Sequence, residues 1–310
     1  MFTRVRGKLV GRPRLQVAYD HPVRDGVPGQ KIVFPFGAES TPRPPRKPKG
    51  EAWVFVLGVY PSAVHVRWDL PLWAQTAERR AVGALAIADE PTVFWDGDGA
   101  ERMVDAWMQE VGFRSGDEPT EWGHVRAVGN GTSGRPVRDR VLNALGVSED
   151  ETWFTDCADR FFIKRGGGSQ QGDVIDTVYA PFAAALKLPA VSLPPRPSIP
   201  GLVRLAVTEH RERLRGELVE AGAPVVVTLG EEARRVLAEI VDHVDGPPLT
   251  HLARADVTQK TYGEPGVVKV GPLEAVWYAV AHPGNRDPAW AALHDAWIKR
   301  RRAERAEGNN

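Results

Sequence analysis

Four short apolar runs, each stopping at a glycine or a polar residue, do most to limit what this chain can fold into. Trp53–Leu57 stops at Gly58, Thr152–Thr155 at Asp156, Pro224–Leu229 at Gly230, and Ala275–Val280 leads into Ala281-His282-Pro283-Gly284. Continuous apolar runs of this length are what strands buried on both faces of a parallel sheet look like. Between and after them, helical spacing covers Glu101–Val111, where Met103, Val104, Trp107 and Met108 share one face. Further helices are expected over Leu202–Ala221, from Glu231 to about Val241, and from about Pro288 to Glu304. Strands joined by crossover helices predict an α/β fold, a parallel sheet with helices on both faces.

The first 50 residues read differently. They hold eleven Lys/Arg against three Asp/Glu and end in Thr41-Pro42-Arg43-Pro44-Pro45-Arg46-Lys47-Pro48-Lys49-Gly50. Proline at this density forbids helix and favours an extended chain. Residues 1–50 are therefore expected to form a basic arm on a main domain of residues 51–310, with Val17–Tyr19 and Ile32–Phe36 as short strands at a sheet edge. Lys299-Arg300-Arg301-Arg302 closes the last helix, so both ends carry charge that either contacts phosphate or forms a solvated surface.

Several classes are disfavoured. Lys+Arg and Asp+Glu balance at 40 each, so net charge argues for no particular partner. The single cysteine, Cys157, allows no intrachain disulfide and no all-cysteine iron–sulfur site, and it reads as a packing residue. No segment has the length and apolarity of a membrane span, and the N-terminus lacks an apolar signal core. A cytoplasmic, soluble monomer is expected. The histidines lack ligand spacing, so neither metal nor other cofactor is expected.

In an open parallel sheet, ligands bind beyond the carboxyl ends of the strands. Three segments fall there: Gly58-Val59-Tyr60-Pro61-Ser62, Asp156-Cys157-Ala158-Asp159 and His282-Pro283-Gly284-Asn285. A strand ending in Gly-x-x-Pro-small resembles the first motif of the uracil-DNA glycosylase superfamily, and a late strand ending in His-Pro-small resembles its second. Val225–Ala233, with Leu229-Gly230-Glu231-Glu232-Ala233, is similar to the Leu-Gly-x-x-Ala element between them. Order and spacing agree from about Trp53 to Trp297. The resemblance implies a three-layer αβα sandwich around a central four-stranded, mainly parallel sheet. It also implies a DNA glycosylase, which flips a base from duplex or single-stranded DNA and hydrolyses its N-glycosidic bond.

The resemblance also implies roles. Tyr60 occupies the position where several families hold a water-activating Asp or Asn, and a phenol is a poor base near neutrality. It is expected to wall the base pocket. Phe94-Trp95-Asp96-Gly97-Asp98-Gly99 resembles the aromatic-x-Gly-Asp segment of the fifth, thermophile-type family. By that match Trp95, with Phe94 beside it, stacks on the base, and Asp98, with Asp96 as substitute, is the catalytic carboxylate. Equally, the two aspartates fit an acidic helix N-terminus. His282 would donate to the departing oxyanion. Asp156 stands where the family reads uracil with Asn. As an ionised acceptor it would favour an exocyclic amino group, hence a modified, cytosine-type base, whereas a protonated Asp156 could still read uracil. DNA contacts are expected from Ser62, His65, Asn285 and Arg286, and from Lys164 and Arg165 at the head of the glycine-rich loop 164–172. Gly129–Arg135 is a second such loop. The role would lie in base-excision repair or defence against modified foreign DNA. Alternatives are a non-catalytic nucleic-acid-binding protein on the same fold, or an enzyme acting on free nucleosides or nucleotides.

Overall fold

The computed structural model describes residues 19–20, 31–32, 40–70, 75, 77, 80–111, 123–165, 172–173, 175–176, 194–249, 261–282, 285 and 287–308. Its strands are β1 (Tyr19–Asp20), β2 (Lys31–Ile32), β3 (Val54–Gly58), β4 (Ala63–Asp69), β5 (Ala81–Asp89), β6 (His124–Ala127), β7 (Thr152–Asp156), β8 (Val225–Leu229), β9 (His243–Asp245), β10 (Gly266–Val270) and β11 (Leu273–Val280). The longer helices are α1 (Ala100–Val111), α2 (Ile199–Glu209), α3 (Arg211–Ala221), α4 (Glu231–Ile240) and α5 (Pro288–Gly308).

The fold is α/β, built on a mixed sheet of six strands in the order β7-β3-β8-β11-β10-β9. The four apolar runs form its parallel part: β3 pairs with β7 and β8, and β8 with β11, all parallel. The expected count of four omits β10 and β9, which extend the sheet antiparallel beyond β11. A two-residue loop, Gly271-Pro272, turns β10 into β11, with Gly271 at φ 53°, in the left-handed region that glycine enters without a Cβ penalty. A second, antiparallel sheet, β5-β4-β6, follows the first strand and was not expected.

Alternate residues of each parallel strand feed two cores. Phe55, Leu57, Trp153, Val226 and Trp277 pack against Leu202 and Ala206 of α2, Leu214 and Leu218 of α3, and Val236, Leu237 and Ile240 of α4. Val54, Val56, Phe154, Val227 and Val280 face the other way, against Val137, Val141 and Leu142 and against Trp290, Trp297 and Ile298 of α5. The helix expected over Leu202–Ala221 is two, bent at His210, whose backbone leaves helical values at φ −120°, ψ 3°. Its imidazole lies 3.9 Å from Asp159, a tertiary contact that no helix breaker in the sequence announces.

Residues 40–49 run non-helically as a strap across β7, the edge strand. Arg46 and Phe154 exchange backbone hydrogen bonds of 2.9 Å each, so part of the edge is paired. The guanidinium of Arg46 sits 4.1 Å over the Phe154 ring. The strap's cations are engaged within the molecule: Arg43 with the Pro91 carbonyl, Arg46 with Glu149, Lys47 with Glu220 and Lys49 with Asp150. At the other end, Arg300 donates to the Tyr262 carbonyl and Arg301 to the Tyr278 hydroxyl. Farther upstream, among the described residues, β1 and β2 form a two-stranded sheet of their own. Residues 17–18 and 33–36 of the expected edge strands lie outside the described residues.

Candidate active site

All four parallel strands end on the same side, and there a cavity of about 490 Å³ opens. Its floor follows from strand register. Gly58, the last residue of β3, lies directly beside Asp156, the last of β7. A Cβ on Gly58 would stand 2.2 Å from Asp156 Oδ1 and 2.6 Å from Phe94 Cζ, so only glycine lets the carboxyl and the ring meet there. Phe94 is the one non-glycine among the described residues with positive φ, at 54°. Such a conformation costs on the order of 1–3 kcal/mol and persists only where packing imposes it. Gly134 permits it: a Cβ there would lie 2.3 Å from the Phe94 carbonyl oxygen.

Aromatic side chains wall the cavity. Tyr60, Phe94, Phe161 and Phe162 line it, with Tyr60 edge-on to Phe162 at 5.5 Å. Arg196 stands over the Tyr60 ring at 5.6 Å and is paired with Glu232, which also lines the site. Burial raises the Tyr60 pKa, which fits a wall and removes it further from service as a base.

Two carboxyl groups are sunk into the same space. Asp156 is 5% exposed. Burial, reinforced by the Glu90 carboxylate, pushes its pKa well above the usual range. Its backbone is clamped by Arg213, whose Nη2 donates to the Asp156 carbonyl at 2.8 Å and whose Nη1 donates to buried Glu217 at 2.9 Å. The neighbouring Cys157 is fully buried, its thiol pushed up by that burial. Glu90, which follows β5, is 3% exposed and accepts the Ser62 backbone N–H at 2.9 Å. Burial raises its pKa to about 7 against the pull of the Ser62 N–H and Arg43.

The structure brings Tyr60, Ser62, His65, Phe94, Asp156, Lys164, His282 and Asn285 together around this cavity. Burial first, then Lys164, depresses the His282 pKa, so its imidazole is neutral at pH 7. His65 is likewise held neutral, its pKa lowered to about 4 chiefly by burial, with Phe161 edge-on at 6.0 Å.

Trp95, Asp96, Asp98 and Arg165 are not among the lining residues. Trp95 is buried, and its indole donates to the Asp98 carbonyl at 3.1 Å. Asp96 accepts the Asp98 N–H and pairs with Arg138, both at 2.9 Å, which holds its carboxyl below the usual range. These two aspartates shape the turn leading into α1. Arg165 pairs with Asp176. Arg286 and residues 166–171 of the glycine-rich loop lie outside the described residues.

Glu90, Glu232, Arg196, Phe161 and Phe162 are the lining residues that sequence reasoning missed. Glu232 lies inside the Leu-Gly-x-x-Ala element and Glu90 only four residues before Phe94, and neither stands at a position to which the resemblance gives a role. Among the described residues, no group of three or more His, Cys, Asp or Glu is placed to hold a metal ion. No helix among them is long and apolar enough to cross a membrane. The chain matches no protein-family model and no curated protein sequence.

Proposed function

We propose that this protein is a DNA glycosylase that draws a flipped base into the cavity and hydrolyses its N-glycosidic bond. One observation carries the reading. The three strand-end segments that resemble the superfamily's motifs, far apart in sequence, line one cavity together with Phe94. A cavity of about 490 Å³ suits a small aromatic ligand, and helices on both faces of the sheet suit the αβα sandwich of the superfamily. A base stacks on Phe94 with Tyr60 closing the pocket, and His282 donates a hydrogen bond to the charge that develops on the leaving base.

Asp156 reads the base edge. A carboxyl held toward its neutral form carries one donor and one acceptor side by side. It matches the N3–H and O4 of uracil, or the N3 and N4–H of a cytosine-type base. The preference for an exocyclic amino group drawn from an ionised Asp156 therefore falls away, and both bases remain substrates of the proposal. The reading carries with it DNA as partner, a cytoplasmic monomer and no cofactor.

The test is incubation with single-stranded and duplex oligonucleotides carrying one uracil, hypoxanthine or modified cytosine, followed by alkaline cleavage at abasic sites. Excision of at least one base is expected, and D156A should slow it by two orders of magnitude or more. Intact strands in every case, at excess protein, would sink the proposal. Binding without excision would favour the non-catalytic reading, which Tyr60 in the water-activating position supports.

A further inference from the structure

The first motif lacks its carboxylate, yet a carboxylate reaches the same loop from elsewhere in the chain. Ser62 ends the Gly58–Ser62 segment, and its backbone N–H binds Glu90 Oε1 at 2.9 Å. That contact fixes the Glu90 side chain two residues along the backbone from Tyr60, inside the cavity that Asp156 and Phe94 also line. Of the other acidic groups there, Glu232 is tied to Arg196. Asp156, 5% exposed, is given to the base edge in the glycosylase reading. Asp96 and Asp98 lie outside the lining. Resting on the glycosylase reading, we propose that Glu90 is the catalytic carboxylate, steadying positive charge on the sugar and taking a proton from the attacking water.

The step balances as a hydrolysis. The water oxygen bonds to C1′ while one of its protons passes to Glu90. The C1′–N bond breaks, and its electron pair leaves with the base, which takes a proton from solvent; Glu90 returns its own to solvent. A general base works best with a pKa near the operating pH, and Glu90 sits at about 7. The loss of a positioned general base costs about 10²–10⁴-fold in rate.

The test uses the full chain and the oligonucleotide it cleaves best. E90Q should lower kcat by about 10²–10⁴-fold with KM little changed, and by at least about tenfold more than D98N. Wild-type kcat should rise with pH through about 7, and E90Q should lose that limb. Two duplex probes follow binding alone, one with a cationic pyrrolidine replacing a deoxyribose and one with neutral tetrahydrofuran. Wild-type protein should prefer the cation by about tenfold or more, increasingly as pH rises through about 7, and E90Q should lose the preference. Excision that survives E90Q overturns the assignment and leaves the glycosylase reading standing. No excision by wild-type protein overturns both. Should E90Q fail to fold, a cation preference in wild-type protein that is absent or flat with pH overturns the assignment on its own.

Discussion

Gly58 has no room for a side chain, because Asp156 Oδ1 and Phe94 Cζ occupy the space a Cβ would enter. Both are side-chain atoms of buried residues, one carried on the neighbouring strand β7 and the other on a loop held at positive φ. G58A is expected to destabilise the protein by about 1–3 kcal/mol, the usual range for overpacking a well-filled core. It should also displace Asp156 and weaken excision beyond that loss. Urea unfolding and the abasic-site assay check the two effects separately, and unchanged stability would mean that the Asp156 carboxyl can swing aside. At this scale the sequence was most readable where strand ends carry unusual residues. Gly58 and Asp156 end adjacent parallel strands, and Tyr60, Asp156 and His282 line the cavity there, because parallel strands deliver their carboxyl ends and the residues just beyond to one edge of the sheet. Glu90 escaped notice because it follows β5, a strand whose composition, Ala81-Val82-Gly83-Ala84-Leu85-Ala86-Ile87-Ala88-Asp89, has little β-propensity. The aromatic–Asp segment drew attention to Asp96 and Asp98, but the close approach of Gly131 and Gly134 to residues 94–96 decides which side chains point inward.

Among the elements, the strap of residues 40–49 departs furthest from its composition. Its basic character suggested phosphate contact, but its cations meet Glu149 and Asp150 just before β7, Glu220 of α3 and the Pro91 carbonyl. Thr41 ties the strap to Asp89 through its backbone N–H at 3.0 Å and its hydroxyl at 2.6 Å, next to Glu90. The strap thus braces the loop that carries the cavity carboxyl. Each phosphate contact contributes about 0.9 to the slope of log affinity against log salt on duplex DNA. A K47A/K49A variant should leave that slope within experimental error, whereas K164A, at the cavity wall, should lower it by about one contact. Fluorescence anisotropy between 50 and 200 mM salt (roughly a thousandfold range in affinity for a protein with six contacts) resolves the difference. A reduced slope for the strap variant would return its lysines to the DNA interface. The parallel strands were legible as unbroken apolar runs. β4 was not, because His65, Arg67 and Asp69 alternate with Val64, Val66 and Trp68 and break any continuous apolar run. β9 has only three residues, and β10 reaches its antiparallel place beside β11 through the Gly271 turn, which the apolar-run pattern of parallel strands does not reveal.

At the scale of the whole molecule, the buried titratable groups pull stability in opposite directions with pH. His65 and His294 are held neutral, their pKa values lowered to about 4, mainly by burial. The unfolded chain binds protons at these sites from about pH 6.5 downward and the folded chain does not, so their contribution is lost as pH falls from 6.5 toward 4. Glu90 does the reverse. Its pKa is about 7 when folded against 4.5 for the free side chain, so the folded state binds the extra proton between those values. Stability from this site is full below pH 4.5 and is lost as pH rises through 7, a difference of about 3 kcal/mol at 1.36 kcal/mol per unit. Glutamine keeps the oxygen that accepts the Ser62 N–H but never ionises. E90Q is therefore expected to be more stable than wild type at pH 8 by at least about 3 kcal/mol, since it also frees Asp156 of the Glu90 charge, and to converge on it by pH 4.5, the histidine contribution being common to both. Paired thermal or urea unfolding across that range measures the convergence. A carboxylate that costs the folded protein stability at neutral pH while contributing to catalysis is the trade expected of an active site. If E90Q loses excision while gaining stability above pH 7, function rather than folding accounts for a glutamate at this position. Equal stability at pH 8 would mean that Glu90 is better solvated than its burial implies, and the argument for its near-neutral titration would go with it.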